Sequence, residues 1–571
     1  MLSVQARQTY SMRTRDGVRL DADVYFPVPV AGGAERFPVL LMRQPYGRAI
    51  ASTIVYAHPR WSAAHGYIVV IQDVRGRGTS EGEFDLFMHE VADGKDTVDW
   101  AAGLPGCDGQ VAMYGFSYQG MTQLHAAQAR PAALKTIAPA MTGYHVYEDW
   151  ATENGALCFQ LGLMWALQLA AETARIKGDV AEFQRLRKAA DCLPLTDAVP
   201  ACPSVLEGVD SFFHQWVSCA SGHEYWQKVT PQLGKVDLPM LHIGGCFDPY
   251  LRGDLRLYQE MAARSRHCHH FWVGPWAHIP WSRKVGQVDF GLEAISMVDQ
   301  LQIQWFDAVL KAKGAATMMA QKPINLFEMG RNQWRKLSTW PDSNELTYHL
   351  QSEGLSHIRE NSGVLVSLSE ASGDSTSEAS VPKASVPELS ISEVPAVTDT
   401  IVHDPWNPAP ALGGHSAIHA GSIERSAVDA RGAVLTCTTE HIAGHMQVDG
   451  VPKVVVAIAS SHPSYDLCAV LSRVDVQGKV YNLTQGYRRV NAEIDQSQLL
   501  TLPLHPTCFR LTPGERLRLS LSAACFPAYP INPGTGIPLT ESQLIDAQII
   551  TLTLALGENS GSVVKLPQAW D

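Results

Sequence analysis

The sequence predicts an α/β protein, a largely parallel sheet interrupted by a helical insertion and followed by a β-sandwich, and three observations predict it. Short apolar runs alternate with helix-sized segments over residues 1–145 and again over 237–319, the rhythm of strand-helix-strand units. The stretch between them, 146–236, is rich in good helix formers and poor in β-branched residues, so it is expected to form a helical cap over the sheet. From about residue 320 to residue 571 the helical signal fades and short strands separated by turns take over. A chain of 571 residues exceeds what one hydrophobic core supports, which agrees with two or three domains.

The elements follow in order. The first strand is expected by about residue 18, in "VRLDADVYFP". The runs "VLLM" (39–42) and "YIVVI" (67–71) are apolar at every position, as strands covered on both faces must be. Between them "YAHPRWSAAHG" is helix-sized and ends in Gly66, a residue suited to a helix C-terminus. "HEVADGKDTVDWAAGLPG" (89–106) suits a surface helix, and "GQVAMYGFS" is a strand leading into Ser117. The alternation resumes with the strand in "LPMLHIGGCFDPY", the helix "GDLRLYQEMAAR", the strand "HHFWVGPWAH" and a helix that closes at Gly314. "PINLFEMG", "LTYHLQSEG", "VVVAIASS", "LCAVLSRVDV" and "ERLRLSLSAACF" are expected as strands of the sandwich. The Ser, Pro and Glu-rich segment 369–397 cannot bury a core and is expected to be a surface loop.

Composition excludes several function classes. The formal net charge is -12 and no basic run breaks it, so a nucleic-acid surface is not expected. Eleven cysteines without CxxC pairs fit a reducing compartment. The N-terminal residues lack a signal-peptide core, and "CFQLGLMWALQLAA" (158–171) is too short and glutamine-interrupted to span a bilayer. A cytoplasmic protein without membrane association is expected, acting on a small molecule and compatible with a homo-oligomer. "HCHH" (267–270) places His267 and His269 on one strand face without further ligands, "RGRGTSEG" lacks the lysine of a phosphate loop, and "NLT" (482–484) matters only in a secreted protein. No metal or organic cofactor is expected.

The chemistry concentrates at "MYGFSYQGMT" (113–122). A serine hydroxyl becomes a nucleophile when a base accepts its proton and a third group orients that base. The nucleophile elbow of such hydrolases reads G-x-S-x-G, whereas here Gln119 stands where the second glycine belongs and Gly120 follows one place late. The spacing leaves Ser117 open as either a nucleophile or a helix N-cap serine. Two later residues weigh toward the first. Asp248 follows the apolar run "MLHIGG" and His278 follows "FWVGPWA", giving the order Ser, Asp, His, each just past a strand.

These residues resemble the X-Pro dipeptidyl-peptidase and cocaine-esterase-like serine hydrolases, in which the elbow reads G-x-S-Y-x-G, as "GFSYQG" does. "RQPYGR", "QDVRGRGTSEGEF", "GGCFD", "GPWAH", "WFDAVLK", "HDPWNPAPALGG" and "LRLSLSAACFPAYPINPGTG" match in family order through nearly the whole chain. The resemblance implies an α/β-hydrolase domain with an inserted helical cap and a C-terminal jelly-roll. It also implies Ser117 as nucleophile, His278 as base and acid, Asp248 as the group holding the imidazole, and an oxyanion hole of the Tyr118 N–H and the Tyr46 phenol. The substrate is then a small ester or amide. Amino-ester hydrolases of this kind place carboxylates near the nucleophile, but Gln119 is neutral, which argues against an α-aminoacyl substrate. Trp150, Trp165 and Tyr250, with Leu161, Leu163 and Met164, suggest an apolar acyl pocket. Amide cleavage, X-Pro dipeptide release and a binding module on a silent hydrolase stay open as alternatives.

Overall fold

The computed structural model describes residues 1–29, 35–49, 53–341, 344–359, 362–367 and 397–568. Its first sheet has ten strands: β1 Gln8–Arg13, β2 Arg19–Tyr25, β3 Phe37–Gln44, β4 Ile68–Asp73, β5 Cys107–Phe116, β6 Leu134–Ala140, β7 Met240–Phe247, β8 His269–Ala277, β9 Ile324–Glu328 and β10 Gln333–Leu337. They lie in the order β1-β2-β4-β3-β5-β6-β7-β8-β9-β10. From β4 across to β9 neighbours are parallel, and β1, β2 and β10 add antiparallel edges.

The unbroken apolar runs have a physical reason in this sheet. Val39, Leu41, Ile68 and Val70 enter one core, which α2 (Glu90–Ala102) and α3 (Tyr118–Gln128) cover with Val98, Ala101, Met121 and Leu124. The alternate residues Leu40, Met42, Val69 and Ile71 enter a second core under Val298, Trp305 and Phe306 of the helix Val298–Leu310. The expected helix before β4 is α1 (Pro59–Ala64). The helical insertion contains α4 (Phe159–Lys177), α5 (Val180–Asp191), α6 (Phe213–Ser218) and α7 (Glu224–Val229), and α8 (Leu251–Arg264) follows β7. Leu163, Leu167 and Phe213 pack among themselves as the insertion's own core.

Three details differ from the sequence expectations. Strand β1 precedes residue 18 and is mostly exposed, so its polar sequence "QTYSMR" carries no burial pattern. Strand β6 lies in a segment not expected to be a strand. Strands β9 and β10 continue the first sheet although sequence assigned "PINLFEMG" to the sandwich: Ile324, Asn325 and Leu326 pair with Phe271, Trp272 and Val273 of β8. The apolar pattern of a strand reports burial and does not report which neighbour it takes.

From Asn344 onward an eleven-stranded sheet forms, joined by a ribbon of Met446–Gly450 with Thr507–Leu511. Along Lys453–Ser460 the alternate residues Val454, Val456 and Ile458 are fully buried against Leu467, Leu519 and Leu552 from other strands of the same sheet. Faces of one sheet meeting in one core give the β-sandwich predicted for this part of the chain. The segment 369–397 lies, except for Val397, outside the described residues.

Gly94 shows how close α2 and α3 lie, because a Cβ there would sit 2.9 Å from the Ala126 Cβ. Gly94→Val is expected to lower stability by about 1–3 kcal/mol, read as a shift of the urea midpoint; an unchanged midpoint would show that the helices separate freely.

Candidate active site

Ser117 stands between β5 and α3 with φ 59 and ψ -128, a positive φ that costs a non-glycine residue on the order of 1–3 kcal/mol. Its N–H donates to the carbonyls of Ala140 (2.9 Å) and Met141 (3.2 Å), which fixes the turn against the end of β6. Gly115 has φ 137, and a Cβ there would lie 2.5 Å from the Gln119 Cβ. A Cβ on Gly120 would lie 2.5 Å from the Thr142 Cβ. The glycine one place late therefore faces the loop after β6, and Gln119 occupies the room left by Gly115. The Gln119 amide oxygen turns back to accept the Phe116 N–H at 3.3 Å. Thr142 Oγ1 donates to the Ser117 carbonyl at 2.7 Å and ties the two loops together.

Asp248 follows β7 and His278 follows β8, so parallel neighbours deliver both to the same edge of the sheet. His278 Nδ1 lies 2.5 Å from Asp248 Oδ2. Asp248 is fully buried, and its other oxygen accepts the Tyr250 N–H at 2.8 Å. A carboxylate on Nδ1 selects the tautomer that leaves Nε2 with a lone pair. Ser117 and His278 line one cavity of about 350 Å³ and do not hydrogen-bond to each other in this structure.

Tyr46, two residues beyond β3, lines the same cavity, and its hydroxyl accepts the Trp165 indole N–H at 3.1 Å. Because that lone pair is occupied, the phenolic proton is free to point elsewhere. Burial pushes the phenol well above its ordinary value of 10.0, so it stays a donor. Tyr118 contributes only backbone here: its hydroxyl donates to Glu90 at 2.8 Å beneath the site, while its N–H, first in α3, has no intrahelical acceptor.

Trp150, Trp165 and Tyr250 all line the cavity. The Trp150 ring lies 4.4 Å from Tyr250 and 5.2 Å from Trp165, and Tyr250 meets the His278 ring edge-on at 5.2 Å. Leu161 and Met164 also line it, whereas Leu163 points into the core of the insertion. Gln119 and Gln168 are its amides, and no carboxylate lines it among the described residues. His269 instead sits 3.2 Å from His242, and burial lowers both, His269 to about 4, which makes a neutral buried pair. No described helix is long and apolar enough to cross a membrane.

Known proteins match the chain along nearly its whole length. Residues 16–280 match the family model of the X-Pro dipeptidyl-peptidases (S15 family), and residues 316–559 match that of the X-Pro dipeptidyl-peptidase C-terminal non-catalytic domain. The chain belongs to this serine hydrolase family. It is 28% identical to the cocaine esterase of Rhodococcus sp. over 97% of its own length and 96% of that protein's. An aminopeptidase from a marine sediment Thaumarchaeota archaeon shares the fold with a TM-score of 0.78 at 21% identity, and an α-amino acid ester hydrolase does so with 0.75 at 20%; each match covers 98% of this chain and 96% of the other.

Within this S15 fold, sequence reasoning missed the supports of the site. Asp254, in the first turn of α8, is buried and accepts the N–H groups of Thr142 (3.0 Å) and Gly143 (2.9 Å). Burial and then the charge of Asp248 push its carboxyl well above the ordinary 3.8. His505, from the C-terminal unit, donates through Nε2 to the Asp248 carbonyl at 2.7 Å and stacks on His415 with ring centroids 3.9 Å apart. His415 in turn contacts Glu153 at 2.8 Å. Glu153 also receives Arg252 (2.5 Å), the Tyr529 hydroxyl (2.5 Å) and the Tyr487 N–H (3.1 Å). A buried acid one turn into a helix is a readable signal for Asp254; a residue 257 positions away from its partner, as His505 is, leaves none.

Burial would raise the Glu153 carboxyl, but Arg252 and His415 outweigh it and hold it well below its ordinary 4.5. A depressed carboxylate stabilises the fold fully above its unfolded value and loses that contribution as pH falls. Glu153→Gln is expected to cost about 3–5 kcal/mol at pH 7, since it leaves the mostly buried Arg252 and the buried His415 without their carboxylate. The gap to wild type in urea unfolding should narrow below the ordinary value of 4.5, by roughly 1.4 kcal/mol per pH unit. A gap independent of pH would show that the charge is not what joins the two units.

Proposed function

We propose that the protein hydrolyses carboxylic esters of small molecules with an uncharged, apolar or aromatic acyl group, through an acyl-enzyme. The observation that carries this reading is the conjunction, in one aromatic cavity with no carboxylate among its described lining residues, of a serine on a strained strand-to-helix turn with a histidine whose Nδ1 is held by a buried aspartate.

In this mechanism Ser117 Oγ attacks the ester carbonyl while His278 Nε2 takes its proton, and Asp248 stabilises the imidazolium that forms. The Tyr46 hydroxyl and the Tyr118 N–H donate to the oxyanion of the tetrahedral intermediate. The imidazolium returns the proton to the leaving alcohol, and a water activated by the same histidine releases the acid. The lack of a Ser117 to His278 hydrogen bond in the free enzyme is compatible with this, because such bonds tighten in the substrate complex. Trp150, Trp165 and Tyr250 supply a flat apolar wall for the acyl group. The name of the Rhodococcus relative, whose match covers 97% of this chain, supports ester over amide. The neutral Gln119 and the carboxylate-free lining argue against an acyl group bearing a free ammonium.

A fluorophosphonate probe is expected to label the wild type and not Ser117→Ala; equal labelling of both would remove Ser117 as nucleophile. Tyr46→Phe should lower kcat by about 10–10³ with little change in Tm, and unchanged turnover would remove its phenol from the oxyanion hole. Among p-nitrophenyl esters, amino-acid esters, glutaryl amides and X-Pro anilides, the apolar and aromatic acyl esters should give the highest kcat/KM. Preference for an X-Pro anilide would replace the ester reading by the dipeptidyl-peptidase one.

A further inference from the structure

Helix α4 is a wall shared by two cavities. Leu161, Met164 and Trp165 face the catalytic one, whereas Ala166, Leu169, Ala170 and Thr173 line a second cavity of about 410 Å³ between α4 and the loop after β4. Arg77 lines this second cavity and is 1% exposed.

Four arginines are buried among the described residues: Arg43, Arg77, Arg425 and Arg518. Three have carboxylates: Arg43 meets Glu90, Arg425 meets Asp429 at 2.9 Å, and Arg518 meets Asp429 at 3.7 Å. Arg77 has none among the described residues. Its guanidinium lies 3.7 Å over the Phe84 ring, Nη1 donates to the Leu169 carbonyl at 3.0 Å, and Nε has no acceptor. Burial lowers it to about 10, the charge of Glu172 offsetting this only in part. A buried guanidinium is held at a cost unless an anion meets it, and here the open side is a cavity.

The mouth of that cavity carries the opposite charge. Glu83 is paired with Lys177 at 3.5 Å, but Asp85 and Asp210 have no cationic side chain bonded to them among the described residues, and His89 is the nearby base. A simple anion would be repelled at such a mouth, and a simple cation would meet Arg77 inside.

We propose that this second cavity binds a small zwitterion of the amino-acid class. Its carboxylate pairs with the Arg77 guanidinium, its ammonium faces Asp85 and Asp210, and its side chain packs on Phe84, Leu169 and Ala170. The site is separate from the catalytic cavity and does not depend on the ester reading.

The test is calorimetric titration of the full-length protein with L-phenylalanine, L-leucine and L-glutamine, with phenylacetate and phenethylamine as partners lacking one charge each. Saturable one-to-one binding of at least one amino acid is expected, with both single-charge analogues at least tenfold weaker than phenylalanine if phenylalanine is the one bound. Arg77→Met should weaken binding at least tenfold, and Asp85→Asn with Asp210→Asn at least threefold. Should Arg77→Met not fold, Thr173→Trp, which fills the cavity from a half-buried position, should abolish binding while ester turnover persists. Absence of saturable binding by all three amino acids, binding that survives the cavity-filling and arginine variants, or phenylacetate bound as tightly as phenylalanine would each overturn the proposal.

Discussion

Strand β3 is flanked on one side by β4, which follows it in the chain, and on the other by β5, so the direction in which strands are added reverses there. Loops leaving the carboxyl ends of β3 and β5 then diverge and leave a crevice between them, the place where open α/β sheets bind ligands. Tyr46 leaves β3 and Ser117 leaves β5, one on each lip. Every other feature of the site presupposes this reversal. The parallel run onward through β6, β7 and β8 carries Thr142, Asp248 and His278 to the same edge in succession. The glycines at 115 and 120 let α3 start close enough to the sheet for its first N–H to face that crevice.

The edge that carries Asp248 and His278 is not held by the first sheet alone. The carbonyl of Asp248 is gripped by His505, whose ring stacks on His415, whose other contact is Glu153 at the start of the helical insertion. Glu153 gathers partners from α8 and from three places in the C-terminal unit, His415, Tyr487 and Tyr529. Three parts of the chain that are far apart in sequence thus meet at one buried carboxylate just behind the acid loop. A buried network of this kind is worth having only when complete, since each missing partner leaves a desolvated polar group. That ties the order of the acid loop to the docking of the β-rich unit, and gives that unit a part in shaping the site without its touching the cavity.

What was legible in the sequence follows from what sequence patterns encode. Strands β3 and β4 stand out because both their faces are buried, and the elbow stands out because its glycines answer a steric demand within five residues of Ser117. Asp248 and His278 stand out through their position just past a strand, a topological cue, and the structure brings the two side chains together. Strand β1 was not legible because an exposed edge strand leaves no hydrophobic signature, and β9 and β10 were placed with the sandwich because apolar alternation names a burial state and not a neighbour. His505 and Glu153 act through contacts that close only in three dimensions, and Glu153 in isolation looks like any surface acid.

Helix α4 shows how one stretch can be read in two ways until its surroundings are known. "CFQLGLMWALQLAA" is apolar nearly all round, which by itself suggests a wholly buried helix. In the fold each side has its own reason: Leu163 and Leu167 pack into the insertion's core, Leu161, Met164 and Trp165 wall the catalytic cavity, and Ala166, Leu169 and Ala170 wall the second one. Ala166 and Ala170 keep the second cavity's side low, and bulkier residues at those two positions would narrow it. The Leu169 carbonyl that takes Arg77 and the Trp165 indole that holds Tyr46 are one turn apart on the same helix. The helix is thus the wall that the two cavities share, with its contacts to Arg77 and Tyr46 one turn apart.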